Sequence, residues 1–198
     1  MNLKIAIIGS GPSAFYTAQS LLKHNSDYEI DIIERLFSPY GLIRYGVAPD
    51  HQSTKNVSRV FDRVLNNPNV EFFGGVDVNT SPTIDEIMNI YDSVVVATGM
   101  TKDKDLGINK KNISGYYGAT EFVNWYNGHP EFRDLNPNLN IETAVIIGNG
   151  NVAIDCARIL ASSSIELENT DISDYALKVL KNSSLKTVHI IGRRGPLD

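Results

Sequence analysis

Cysteine is almost absent from this chain: Cys156 is the only one among 198 residues. A lone thiol excludes an internal disulfide, an all-cysteine zinc or iron–sulfur site, and any reaction carried by a redox-active cysteine pair. Cys156 falls in a helix expected after the second of two glycine motifs, where a small packing residue is the expectation. Positive charge is not in excess either. Lys and Arg number 18 against 23 acids, a net charge of −5, which argues against nucleic acid as a bulk partner. Apolar runs are short: none reaches the ~18–20 residues needed to span a bilayer, so no transmembrane segment is expected. No low-complexity tract interrupts the sequence, and no metal site is nominated. The first glycine motif begins at Gly9, which leaves no room ahead of it for a signal or transit peptide. The expectation is a protein that stays where it is made, unless its presequence is missing from this sequence or another route is used.

What is present is 42% apolar and 21% charged, the balance of a soluble globular protein of one large or two small domains. Residues 3–8 are an apolar run of strand length, Gly9 to Ser13 turn the chain, and Ala14 to Lys23 place Phe15, Ala18, Leu21 and Leu22 on one helical face. Residues 29–34 form the next strand and close on an acid, Glu34. Strand, Gly9-Ser10-Gly11-Pro12-Ser13-Ala14, helix, and strand ending in a carboxylate is the order of a dinucleotide-binding unit. Gly9 allows the tight turn, Gly11 lets backbone approach a pyrophosphate, and Ala14 lets helix and strand pack closely. The helix N-terminus offers N–H donors to phosphate, and Pro12 fits a first turn whose N–H groups lack intrahelical partners.

The pattern recurs. Ala144 to Ile147 are a strand, Gly148-Asn149-Gly150-Asn151-Val152-Ala153 turn into a helix running to Ala161, and residues 186–191 are a strand leading to Gly192-Arg193-Arg194. An extra helix over Asp174 to Lys181 accounts for the long spacing. The two units end in opposite charges. A carboxylate at the strand tip accepts from free ribose hydroxyls and suits FAD or NAD, whereas a guanidinium pair suits the 2′-phosphate of NADP. Two nucleotides of different kinds on one chain imply electron transfer between them. The fold class is therefore α/β with two Rossmann-like units, the second incomplete, divided as 1–105 and 106–198.

Between the units, residues 36–51 read as a loop, Ser53 to Leu65 as a helix, 70–73 and 76–78 as strands, and Thr83 to Tyr91 as a short helix. Ser93-Val94-Val95-Val96-Ala97-Thr98-Gly99 read as a buried strand ending in a glycine turn. Residues 101–115, with Lys102, Lys104, Lys110 and Lys111, read as a solvated linker. Glu121 to Asn127 form a helix whose Phe122, Trp125 and Tyr126 are expected to pack at a domain junction.

Longer segments carry a resemblance. The run Gly41-Leu42-Ile43-Arg44-Tyr45-Gly46-Val47-Ala48-Pro49-Asp50-His51, the segment Phe122-Val123-Asn124-Trp125-Tyr126-Asn127-Gly128, both glycine motifs and Gly192-Arg193-Arg194-Gly195-Pro196-Leu197 resemble the adrenodoxin reductase family of ferredoxin–NADP reductases, over essentially the whole chain. The resemblance implies an enzyme that takes electrons from NADPH onto FAD and passes them singly to a ferredoxin- or adrenodoxin-type iron–sulfur protein. It places Ser13, Glu34, Leu42 and Val78 against FAD, with Gly99 ending the first FAD segment. Asn149, Gly150, Asn151 and Val152 become the NADP pyrophosphate loop, and Arg193 and Arg194 the grip on the 2′-phosphate. The flavin performs such chemistry, so no catalytic acid or base is nominated; Asp50 and His51 remain open between proton traffic and ordinary loop bonding.

Members of that family continue beyond the double arginine, complete the NADP sheet and return to the FAD domain. The expectation is accordingly the N-terminal portion of such a reductase. The alternatives are a non-catalytic adenine-dinucleotide-binding piece or one subunit of a split flavoenzyme. The small subunit of glutamate synthase is a third option, disfavoured by the Arg44–His51 and Asn124–Gly128 segments. The tryptophan segment points to the mitochondrial matrix and the missing presequence to the cytoplasm, while oligomeric state is unassigned.

Overall fold

In the computed structural model, which describes residues 2–100, 102–104, 106–107 and 113–193, four apolar runs pair in parallel. They are β1 (Lys4–Ile8), β2 (Glu29–Glu34), β3 (Val70–Gly74) and β4 (Ser93–Val96), in the order β3-β2-β1-β4. Parallel strands covered on both faces need continuous rather than alternating apolar sequence. Ile5, Ile7, Ile30 and Ile32 accordingly point to one layer and Ala6, Ile8 and Ile33 to the other. The first layer is closed by α1 (Pro12–His24) and α4 (Ser58–Leu65), preceded by the single turns α2 (Leu42–Tyr45) and α3 (Gln52–Lys55). Phe61 of α4 is fully buried and stacks on Phe15 of α1 at 4.7 Å between ring centroids. The second layer is closed by α5 (Ile84–Ile90) through Ile87, and Thr83 and Glu86 cap that helix reciprocally.

By compactness, this first unit comprises Met1–Arg44 and Ser53–Met100. The second takes Tyr45–Gln52 with Thr101–Asp198, so it includes a stretch lying well before residue 105 in sequence. Its elements are α6 (Ala119–Tyr126), a 3-10 turn at Pro130–Phe132, β5 (Thr143–Ile147), α7 (Asn151–Ala161), α8 (Ser164–Glu168), α9 (Asp174–Lys181) and β6 (Thr187–Ile191). Trp125 and Tyr126, expected at a junction, lie in the interior of this unit with Cys156, Ile159 and Leu167. Among the described residues its sheet has two strands, β5 and β6, in parallel register from Thr143↔Thr187 to Ile147↔Ile191. Ile146 packs into the core, but Val145 and Ile147 are 55% and 54% exposed, where Ile5 and Ile7 of β1 are 3% and 0%. The two runs are equally apolar; the difference is the number of covered faces.

Four expectations change. Residues 76–78 are not a strand but lead into a turn at 78–80: the Asp77 carboxylate accepts from the Asn79 N–H at 2.9 Å and the Asp77 carbonyl from Thr80 N–H at 3.0 Å. The helix expected over 53–65 breaks at Asn56, where tight three-residue hydrogen bonds (Val57 to Thr54, Arg59 to Asn56) separate α3 from α4. The strand expected to be buried over 93–99 ends at Val96 and is a half-exposed edge, since among the described residues β1 alone flanks it. The loop expected over 36–51 contains α2. A missed helix, α8, carries a legible signature, the Ser163–Glu166 capping box.

Candidate functional site

The first candidate site lies at the carboxyl ends of β1 and β4, where strand order reverses and open α/β sheets bind ligands. Gly9 turns the chain at φ 105°, its N–H donating to the Ile33 carbonyl at 2.8 Å. A Cβ at Gly9 would stand 2.7 Å from the Ala97 carbonyl carbon, so the turn after β1 and the Ala97-Thr98-Gly99 turn after β4 touch. Gly11 is different. Its φ of −81° and ψ of −178° suit any residue, and a Cβ there would meet no protein atom within 4 Å. Nothing inside the protein requires glycine at this position; an approaching ligand would. Gly11 is also the N-cap of α1, with no side chain capping the helix, and Pro12 follows at N1.

Glu34 closes β2 beside this turn. Its Oε2 accepts from the Ser10 N–H at 3.0 Å and the Ser10 hydroxyl at 2.7 Å, and its Oε1 accepts from the Leu36 N–H at 3.0 Å. A carboxylate has about four acceptor sites, so Glu34 both organises the loop and retains capacity for another donor. Ser13 is exposed at the start of α1 and Ala14 is buried under it. Leu42 is 61% exposed in α2. Val78 is half-buried against the Ile33 and Ile87 layer, in the segment whose Val76 N–H donates to the Glu34 carbonyl. Gly99 is exposed at φ 70° with open space around it.

Sequence reasoning missed Tyr40. It holds φ 90°, a strained value for an aromatic residue, and its N–H donates to the Ser10 carbonyl at 2.9 Å. Its ring packs on Phe15, and its hydroxyl donates to Asp62. Burial and that bond push the phenol up to about 12. The strain delivers Gly41 against Gly11, where a Cβ on Gly41 would lie 2.9 Å from the Gly11 Cα. The signal in sequence was a Pro-Tyr-Gly turn, which carries no mark of a left-handed tyrosine.

The second candidate site repeats the first. Gly148 turns the chain at φ 128°, its N–H donating to the Ile191 carbonyl at 2.8 Å. Gly150 caps α7 at φ −79° with no side-chain cap, and again a Cβ would meet nothing within 4 Å. Asn149, Asn151 and Val152 are exposed around it. Arg193 is exposed two residues past β6, while Arg194 lies outside the described residues. By contrast, the N-termini of α5 and α8 are closed by Thr83 and Ser163.

Cys156 lies on the buried face of α7. Burial pushes its thiol up to about 12, so it stays protonated and unreactive at neutral pH. Alkylation by iodoacetamide is expected only after unfolding; rapid labelling of the folded chain would contradict its placement. Among the described residues no cluster of ligands suits a metal ion, and no helix is long and apolar enough to cross a membrane.

Comparison with known proteins matches this geometry. The family described as "Pyridine nucleotide-disulphide oxidoreductase" matches residues 3–191. The mitochondrial NADPH:adrenodoxin oxidoreductase of Arabidopsis thaliana is 48% identical over 98% of this chain and 41% of its own length. NADPH-ferredoxin reductase FprA of Mycobacterium tuberculosis is 45% identical over 98% of this chain and 43% of its own. The structure of FprA in complex with NADPH superposes with a TM-score of 0.97 at 44% identity, covering 100% of this chain and 45% of that one. The chain thus spans about two fifths of the length of the relatives it matches, their N-terminal part.

Proposed function

This chain belongs to the pyridine nucleotide-disulphide oxidoreductase family, and on that premise we propose that it is the FAD- and NADPH-binding portion of a reductase delivering electrons to a ferredoxin- or adrenodoxin-type iron–sulfur protein. The observation that carries the reading is the pair Gly11 and Gly150. Each sits at the open N-terminus of a helix, with ordinary backbone angles and space that a Cβ would fill. A pyrophosphate close to the backbone explains both. With one cysteine in the chain, buried and protonated, the disulfide chemistry in the family's description finds no cysteine pair here.

The residues present fit FAD in the first unit and NADPH in the second. FAD, when bound, would supply the redox chemistry, accepting electrons from NADPH and releasing them one at a time. The chain's own part is binding and orientation. The N–H groups at the start of α1 would hold the FAD pyrophosphate, and Glu34, already anchored by Ser10, would offer its remaining acceptor capacity to the adenosine ribose. Leu42 and Val78 would supply apolar contact and Gly99 a backbone free of side chain. In the second unit Asn149, Gly150, Asn151 and Val152 would form the pyrophosphate loop, and Arg193, together with Arg194 of the sequence motif, would hold the 2′-phosphate.

The acceptor is tested by adding a [2Fe–2S] ferredoxin and cytochrome c to the FAD-loaded chain with NADPH. Ferredoxin-dependent cytochrome reduction is expected. Flavin that NADPH reduces but that passes nothing to the ferredoxin would contradict the partner assignment. Among the described residues the second sheet has two strands, which favours one further reading, a dinucleotide-binding piece that does not turn over by itself. For compartment, we propose the mitochondrial matrix, on the Asn124–Pro130 segment; matrix-free fractionation of the tagged chain would contradict it.

A further inference from the structure

Residues Tyr45–Gln52 belong to the second unit, although the chain up to Arg44 and again from Ser53 belongs to the first. The segment is held at both ends. At its start, Asn127 Nδ2 donates to the Tyr45 carbonyl at 3.1 Å in a buried bond, and the Tyr45 ring lies edge-on to His129 at 4.7 Å. At its far end Arg158 of α7 grips Asp50 in two parallel bonds, Nε to Oδ2 at 2.6 Å and Nη2 to Oδ1 at 2.9 Å. The third nitrogen, Nη1, donates to Asp155 Oδ1 at 2.9 Å, one turn back on the same helix. Asp155 therefore orients the guanidinium, whose planar fork then matches the Asp50 carboxylate. Between these anchors Ala48 is fully buried, and the Pro49 carbonyl accepts from the Asp171 N–H at 3.3 Å.

We propose that Arg158 is a positioning residue: oriented by Asp155, it fastens the Gly46–His51 segment to α7, the helix that opens at the second glycine turn. Its geometry stands apart from the cofactor assignment, and its consequence for flavin rests on the function proposed above. The segment continues directly from α2, which bears Leu42, the residue that the family resemblance sets against FAD. Loosening the segment frees the C-terminal end of α2, with which it is continuous in the chain. Truncating Arg158 leaves the Asp50 carboxylate partly buried and unpaired, which favours release of the segment.

The test is amide hydrogen exchange on the full chain, comparing the unaltered protein with Arg158→Met, Asp50→Asn, and the reversed pair Asp50→Arg with Arg158→Asp. Amides of residues 46–52 are expected to exchange about tenfold faster in each single variant, and the reversed pair to regain most of the protection, with the β1–β4 amides unchanged throughout. FAD affinity is expected to fall about tenfold in the single variants and recover in the reversed pair, a rescue that a generally weakened fold would not give. Unchanged exchange over 46–52 in a folded single variant overturns the proposal, as does a reversed pair no better protected than the singles. Asp50→Asn, which leaves α7 intact, decides the matter if Arg158→Met does not fold. Failure of FAD or NADPH to bind the unaltered chain would contradict the proposed function while leaving the exchange result to stand.

Discussion

Gly11→Ala is expected to leave the fold intact and to weaken FAD binding by about a hundredfold, roughly 2.8 kcal/mol. The backbone angles at Gly11 suit alanine, and the added methyl meets no protein atom. Two small effects on stability oppose each other: alanine restricts the unfolded chain, and it is a poorer N-cap than glycine. Net stability should therefore move by less than about 1 kcal/mol. The space the methyl fills is where a pyrophosphate would approach the backbone, so the loss falls on binding. Gly9→Ala is the informative contrast. There φ is 105° and the methyl collides with the Ala97 backbone, so unfolding by urea should show destabilisation whether or not FAD is present. Isothermal titration with FAD separates the two. If Gly11→Ala bound FAD as tightly as the unaltered chain, the first glycine turn would not be a phosphate cradle.

Arg193→Ala combined with Arg194→Ala is expected to erase a preference for NADPH over NADH of roughly 10²–10⁴-fold. Each hydrogen bond to a charged partner contributes about 1.5–3 kcal/mol, and two guanidinium groups would share one 2′-phosphate. Arg193 is exposed just beyond β6, free of the apolar core, so the change should cost little stability. NADH affinity should be nearly unaltered, because NADH lacks the phosphate. The measurement is the ratio of the two dissociation constants. A ratio that survives both substitutions would remove NADP specificity from this strand tip.

The strands and both glycine turns were legible in the sequence because their signals are local: apolar runs of five or six residues, each bounded by glycine or an acid. What was not legible depends on distance or on backbone angle. Gly9 and Gly11 are the same letter, yet one is demanded by a positive φ and a tight neighbour, the other by open space. Val76-Asp77-Val78 alternates like a strand, but the Asp77 side chain competes for the backbone and bends it into a turn. Asp50 and Arg158 lie 108 residues apart, and nothing in either neighbourhood announces the pair. Glu34 was read toward the ribose, and its bonds to Ser10 and Leu36 became visible only with the loop folded around it.

The most direct measurement is a visible spectrum of the purified chain, incubated with FAD, desalted, and then given NADPH without oxygen. A retained flavin band that bleaches on NADPH addition and responds far less to NADH is expected. A chain that leaves the column colourless, or a flavin band that NADPH does not change, would contradict the proposed function.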